Sequence, residues 1–151
     1  IKDEEIITLD KGLIENSNSI GLDKLMMETL FIIEKLNDFP DSFIYINYDY
    51  CNRPKDIFDK LIIYAQRNGC DTVFPGLVDY GHYWYLKDED YKQTDPSLKL
   101  REKREPIYKA LYGLGCISSS WIVRSGKLVG GKIGILKIKN SIYSHRNKQN
   151  D

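Results

Sequence analysis

Apolar positions along the chain follow two rhythms. Leu22, Leu25, Met26, Leu30, Ile33 and Leu36 recur every three or four residues and predict a helix over residues 22–36, which Asp38-Phe39-Pro40-Asp41 ends. Shorter unbroken runs predict strands at Ile6 to Leu9, at Phe43-Ile44-Tyr45-Ile46 and over residues 71–77. A polar turn is predicted over residues 16–19. Arg53-Pro54-Lys55-Asp56 opens a second helix, because a proline in the first turn sacrifices no hydrogen bond. Ile57, Leu61, Ile62 and Ala65 make its buried stripe, and Gly69 is placed to cap its end. Strands alternating with helices over short links predict a three-layer α/β domain, its mostly parallel sheet flanked by helices.

The pattern changes after Tyr80-Gly81. Tyr83-Trp84-Tyr85 is aromatic, and residues 87–105 are mostly charged or polar. Such a stretch cannot be a buried central strand, so it reads as a loop or as an arm, over about 82–105, that packs on a partner. An apolar pattern resumes over residues 106–117, interrupted by Gly113 and Gly115. One of Ser118, Ser119 and Ser120 is placed to cap a short helix through Arg124. Residues 132–139 read as a closing strand. The expected organisation is one domain over 1–142 and a frayed polar tail over 143–151, with no internal repeat.

Composition narrows the functional classes. A chain of 151 residues, 42% hydrophobic and 29% charged, suits one globular domain. Its zero net charge gives no global attraction to nucleic acid or to an anionic membrane, so neither is expected as a partner. No apolar run approaches the ~20 residues that span a bilayer. Cys51, Cys70 and Cys116 have no metal-ligand spacing and are read as free thiols in a reducing cytoplasm.

The candidate chemistry begins at Asn47-Tyr48-Asp49-Tyr50-Cys51-Asn52-Arg53, which follows a strand and precedes a helix. In open α/β sheets that is where ligands collect. Two readings stand. The segment is a sugar-acid or phosphate site, or it is a capped loop with Asp49 or Asn52 bonding backbone and Arg53 pairing with Asp56. Lys99, Arg101, Lys103 and Arg104 form a basic cluster in which Arg can clamp a carboxylate, or a solvated face whose charge Glu102 and Glu105 nearly cancel. His82 and His145 read as isolated. Gly113-Leu114-Gly115 permits close backbone approach but is no dinucleotide fingerprint. Asp88-Glu89-Asp90, on a polar arm, is a poor paired-carboxylate metal motif, which weakens a glycosyltransferase reading.

Several of these segments resemble one family. Ile46 to Arg53 with Asp56-Ile57 resembles the Leu-Gln-Pro-Thr-Ser-Pro-Leu-Arg segment and following helix of the acylneuraminate (CMP-sialic acid synthetase-like) cytidylyltransferases. Asp71-Thr72-Val73 resembles their Asp-Ser-Val strand, and Arg101, Arg104, Tyr112 and Gly115 resemble their Arg…Arg…Tyr…Asn-Gly stretch. The register runs from about Ile6 to Lys139. The resemblance implies a nucleotide-diphospho-sugar transferase-like fold. It also implies transfer of CMP from CTP to a sugar acid for surface polysaccharide, with Mg²⁺ on the phosphates. A homodimer is implied, its arm lending basic residues to the partner. Asn47 and Asp49 would bind the sugar, Arg53 would brace the loop, Arg101 or Arg104 would meet the sugar carboxylate, and Tyr112 would join the substrate site. The chain departs from the pattern in five places, two of them single residues: Asn47 stands for Gln, and Leu114 for the Asn of Asn-Gly. No glycine- and lysine-containing triphosphate loop precedes Ile6, and Tyr48 to Cys51 replace Pro-Thr-Ser-Pro. The family's metal-ligand Asp-Ile-Asp would fall near Tyr143-Ser144-His145, which cannot hold Mg²⁺ the same way, so its ligands are not evident in this chain. The expectation is therefore a fragment that does not itself catalyse transfer; the alternative is a non-catalytic dimerisation or sugar-binding module on the same fold.

Overall fold

The computed structural model describes residues 21–95 and 97–139. The strand expected at Ile6 to Leu9, the turn at 16–19, His145 and the tail lie outside them. In chain order the described elements are α1 (Leu22–Lys35), β1 (Ser42–Tyr45), α2 (Ile57–Asn68), β2 (Thr72–Asp79), β3 (Trp84–Lys87) and β4 (Asp90–Gln93). They continue with β5 (Ile107–Ala110), β6 (Cys116–Ser119), α3 (Ser120–Arg124) and β7 (Ile133–Ile138). Single 3-10 turns lie at Arg101–Lys103 and Tyr112–Leu114.

Both long helices form where the periodicity places them. Gly69 ends α2 in the left-handed region (φ 56°, ψ 47°), a conformation that costs glycine nothing. Pro54 lies just outside α2 and accepts the Ile57 N–H at 3.1 Å, so a turn precedes the helix proper. Strand alternation divides the core in two. Ile57 and Leu61 of α2 pack with Ile44, Val73 and Ile117 on one face of the sheet. Leu22 and Met26 of α1 pack with Phe43, Phe74, Cys116 and Leu128 on the other. Helices thus cover both faces, and the domain is α/β.

The sheet corrects one expectation. It is mixed, not mostly parallel. β1 pairs antiparallel with β6, β6 antiparallel with β2, and β2 antiparallel with β5; only β2 with β7 is parallel. The cause is β6, a reversed strand inserted between β1 and β2, which themselves run in the same direction. Because β7 accompanies β2 from Thr72 to Leu77, β6 and β5 share the opposite edge: Thr72 faces Ser118, and Gly76 faces Ala110. The carboxyl ends of β1, β2 and β7 therefore share one rim.

The serine triplet caps nothing through its side chains. Ser119 is the residue before α3, and its hydroxyl donates to the Asp71 carbonyl at 3.1 Å. Ser120 donates to the Pro40 carbonyl, tying α3 to the turn before β1. Asp71 anchors the start of β7 by accepting the Lys132 N–H at 2.8 Å. The arm expected over 82–105 contains a hairpin, β3 with β4, whose turn residues Asp88 and Glu89 both have positive φ (52° and 67°). That is the turn geometry that best matches strand twist, so these acidic residues form a bend rather than a metal motif.

Candidate functional site

The loop after β1 is built around Arg53. Its guanidinium donates to the Asn47 carbonyl and, at 3.4 Å, to the Gly113 carbonyl sixty residues on. The Gly113 carbonyl also accepts the Asn47 N–H at 2.8 Å. Inside the loop the Asn47 side-chain oxygen accepts the Asp49 N–H at 2.9 Å, a side chain standing in for backbone. The loop is thus closed onto the turn between β5 and β6. Glycine is required there: a β-carbon on residue 113 would stand 2.6 Å from the Tyr50 ring and 2.8 Å from the Asn47 β-carbon.

Arg53 therefore braces the loop, as the resemblance implies, and does not pair with Asp56. Asp56 instead meets Lys60 at 2.6 Å, and that contact holds its carboxyl below the ordinary range. Tyr112, beside Gly113, turns its ring edge-on to Phe74 at 4.7 Å, and burial raises its phenol above the usual value.

Arg101 and Arg104 form a second group, after β2. The Arg101 guanidinium lies 5.5 Å from the centre of the Tyr80 ring. Arg104 donates to the Tyr80 carbonyl at 2.9 Å and to the Lys99 carbonyl at 2.6 Å. No hydrogen bond of either arginine reaches Asn47, Asp49 or Arg53. The six candidate residues thus split into two clusters on one rim.

Beside the second cluster is a cavity of about 450 Å³ at the root of the arm, bounded by His82, Asp95, Lys99, Arg104, Glu105 and Ile107 among others. Asp79 lies just before the cavity-lining residues Gly81 and Tyr83 and bonds both. A hydrogen bond from the Tyr83 hydroxyl, then the Gly81 N–H, and more weakly the Arg101 charge, hold the Asp79 carboxyl below its ordinary value. Asp95 is likewise lowered, first by the Ser97 hydroxyl and N–H, then by the charges of Lys99 and His82. Sequence reasoning reads His82 as isolated and passes over Asp95. The spacing Asp79-x-Gly81 and Asp95-x-Ser97 marks two side-chain-closed turns, but the fold-back that joins them is not periodic.

Among the described residues no three carboxylate, imidazole or thiol groups converge as metal ligands. Tyr143-Ser144-His145, which stand where the family's metal ligands would fall, lie outside the described residues, so no ligand set is assigned and no step runs through the ion. The cysteines are free: Cys51 exposed, Cys70 half-buried, and Cys116 buried with its thiol pushed up to about 12 by desolvation. No described helix is long and apolar enough to cross a membrane. No protein-family model matches the chain, and no curated protein does either.

Proposed function

We propose that this chain is a sugar-nucleotidyltransferase-like domain of the cytidylyltransferase kind, acting on CTP and a sugar acid. The observation that carries the reading is the Asn47–Arg53 loop, held by Arg53 against Gly113 at the carboxyl rim of β1. A loop so braced keeps its outward groups fixed before a ligand arrives, and positioning is most of what a phosphoryl-transfer site supplies. Asn47 commits its side-chain oxygen to the loop. Its amide N–H₂ and the Asp49 carboxylate are the groups left to meet sugar hydroxyls. Arg101 and Arg104 supply positive charge on the same rim.

A homodimer belongs to this reading. On one face of the β3–β4 hairpin stand Trp84, Leu86 and Tyr91, 59%, 61% and 75% exposed. A lone two-stranded hairpin is marginal in water, and a second copy would cover this apolar face. Sedimentation of the wild type as a dimer and of Leu86→Lys as a monomer is the expected result.

Calorimetry tests the activity. CTP with Mg²⁺ is expected to bind. Heat from a sugar acid but none from CTP would replace this reading with the non-catalytic sugar-binding module.

A further inference from the structure

We infer that a second cavity, between the start of α2 and the end of β7, binds a small apolar carboxylate, whose hydrocarbon body lies on Ile57, Leu136 and Ile138 and whose acid group meets Lys60 and Lys139. The site uses none of the residues on which the proposed function rests, so the two readings stand or fall separately.

The apolar lining is an extension of the core. Ile57 is buried in the cluster on the α2 face of the sheet, and Leu136 and Ile138 of β7 pack partly buried against that cluster. Beside these three side chains a space of about 460 Å³ stays open, with Pro54 also on its wall. That volume is in the range of small-molecule sites, and a hydrocarbon placed in it would lengthen the existing core. The charged lining is basic. Lys60, Lys137 and Lys139 stand against one carboxylate, Asp56. Lys137 is drawn aside, its ammonium 5.5 Å from the centre of the Tyr108 ring. Lys60 meets Asp56 at 2.6 Å, but both side chains are 57% exposed, so the pair is weak, and the ammonium has further donors to give. Lys60 and Lys139 are therefore the cations at hand for an acid group.

This inventory selects a ligand class. Among the described residues no Ser, Thr, Asn, Gln or Tyr lines the cavity, so the hydroxyls of a sugar would be desolvated without partners. An amine would enter a field of its own sign. A neutral hydrocarbon would fill the apolar part and leave the excess positive charge unanswered. A monocarboxylate with a compact hydrocarbon body answers both parts of the lining.

Titration calorimetry and amide NMR on the whole chain test it, with butyrate, hexanoate and octanoate as probes. Octanol and octylamine are the uncharged and cationic controls, and glucuronate is the polar acid. Affinity should rise about fourfold per added methylene, equivalent to about 0.8 kcal/mol each, until the cavity is full. Octanoate should bind at least tenfold more tightly than octanol or octylamine, shift residues 54–60 and 136–139, and raise the melting temperature. Glucuronate should leave residues 136–139 unshifted. Lys60→Gln combined with Lys139→Gln should weaken octanoate about tenfold and leave octanol as it was; the melting temperature of the ligand-free chain confirms that the double variant is folded. Any of four results overturns the inference: an affinity that does not grow with chain length, octanol binding as tightly as octanoate, octanoate shifts confined to other residues, or an unchanged octanoate affinity in the folded double variant. A shift of residues 136–139 by glucuronate would equally overturn the choice of an apolar acid.

Discussion

Truncating Arg53 to alanine is the sharpest test of how the β1 loop is held. The guanidinium makes one close bond, to the Asn47 carbonyl, and one long one at 3.4 Å, to the Gly113 carbonyl. A net contribution of about 1.5–3 kcal/mol is usual for a bond with a charged donor. Two features place this case toward the lower end. Neither carbonyl is orphaned by the mutation: Asn47 O still accepts the Tyr50 N–H at 3.3 Å, and Gly113 O the Asn47 N–H at 2.8 Å. The Arg53 Nε is also buried without a partner, so the side chain's presence already carries a desolvation cost. A loss of about 2 kcal/mol follows, equivalent to a fall in melting temperature of roughly 4–8 °C for a domain of this size.

Thermal melts by circular dichroism measure the fall, and hydrogen exchange at the Asn47 amide localises it. Arg53→Lys should recover only part of the loss, since an ammonium cannot span two carbonyls as a planar fork does. Sugar-acid or nucleotide affinity should drop in Arg53→Ala as well, because the loop it fixes is the proposed contact surface. A melting temperature within 1 °C or so of wild type would refute the brace.

Three further outcomes are expected. Gly113→Ala forces a β-carbon into the Tyr50 ring and Asn47 and should cost about 1–3 kcal/mol, read as a shifted urea midpoint together with weaker ligand binding; an unshifted midpoint would mean that the loop and turn do not touch. Cys116 holds its proton to about pH 12 when folded, whereas an ordinary thiol releases it near 9.0. The unfolded chain thus binds fewer protons than the folded one above that ordinary value, and stability falls as pH rises from there toward the folded value, by at most about 1.4 kcal/mol per pH unit; Cys116→Ala should flatten that slope in urea melts between pH 8 and 10.5. Asp79 has a lowered folded value, so its contribution is complete above the ordinary carboxylate value of 3.8 and fades as pH falls through the folded one; Asp79→Asn should narrow the difference between neutral and acid melts slightly, leaving the share of Asp56 and Asp95, and an unchanged difference would refute the contribution.

What the sequence made legible was periodic or obeyed local turn chemistry. The Leu22-to-Leu36 stripe, the Ile57-Leu61 face and the Gly69 cap are each signalled within one or two helical turns. β7 was legible because Ile133, Ile135 and Leu136 stand among small and charged residues. β5 and β6 were not, because together they are one interrupted run. Gly113 and Gly115 mark the break, but nothing local says that the chain reverses between β1 and β2. The β3–β4 hairpin was missed for another reason. Its strands are four residues each and exposed on almost every side chain, so no half-buried alternation announces them, and the aromatic run Trp84-Tyr85-Leu86 sits beside a mostly charged stretch. Of the candidate residues, Arg53 was readable as a brace through resemblance, while its acceptors were not. Partners of an arginine that bonds backbone leave no trace in side-chain identity.

The reversed strand that defeats a mostly parallel sheet also shapes the rim. β6 separates β1 from β2 only at Thr72 and Val73; beyond that β2 runs on beside β5 to Asp79, so its carboxyl end projects past that of β1. β5 and β6 are joined by the 3-10 turn Tyr112–Leu114, whose glycine lets Asn47 and Tyr50 lie directly on the backbone. One bank of the rim is therefore the Arg53-braced loop, and the other is the Tyr80 segment carrying Arg101 and Arg104. Each bank is tied separately to backbone, by Arg53 on one side and Arg104 on the other, so that neither depends on a ligand for its position. The same residue type serves both banks because a guanidinium can grip two carbonyls at once and still leave its remaining edge to the rim.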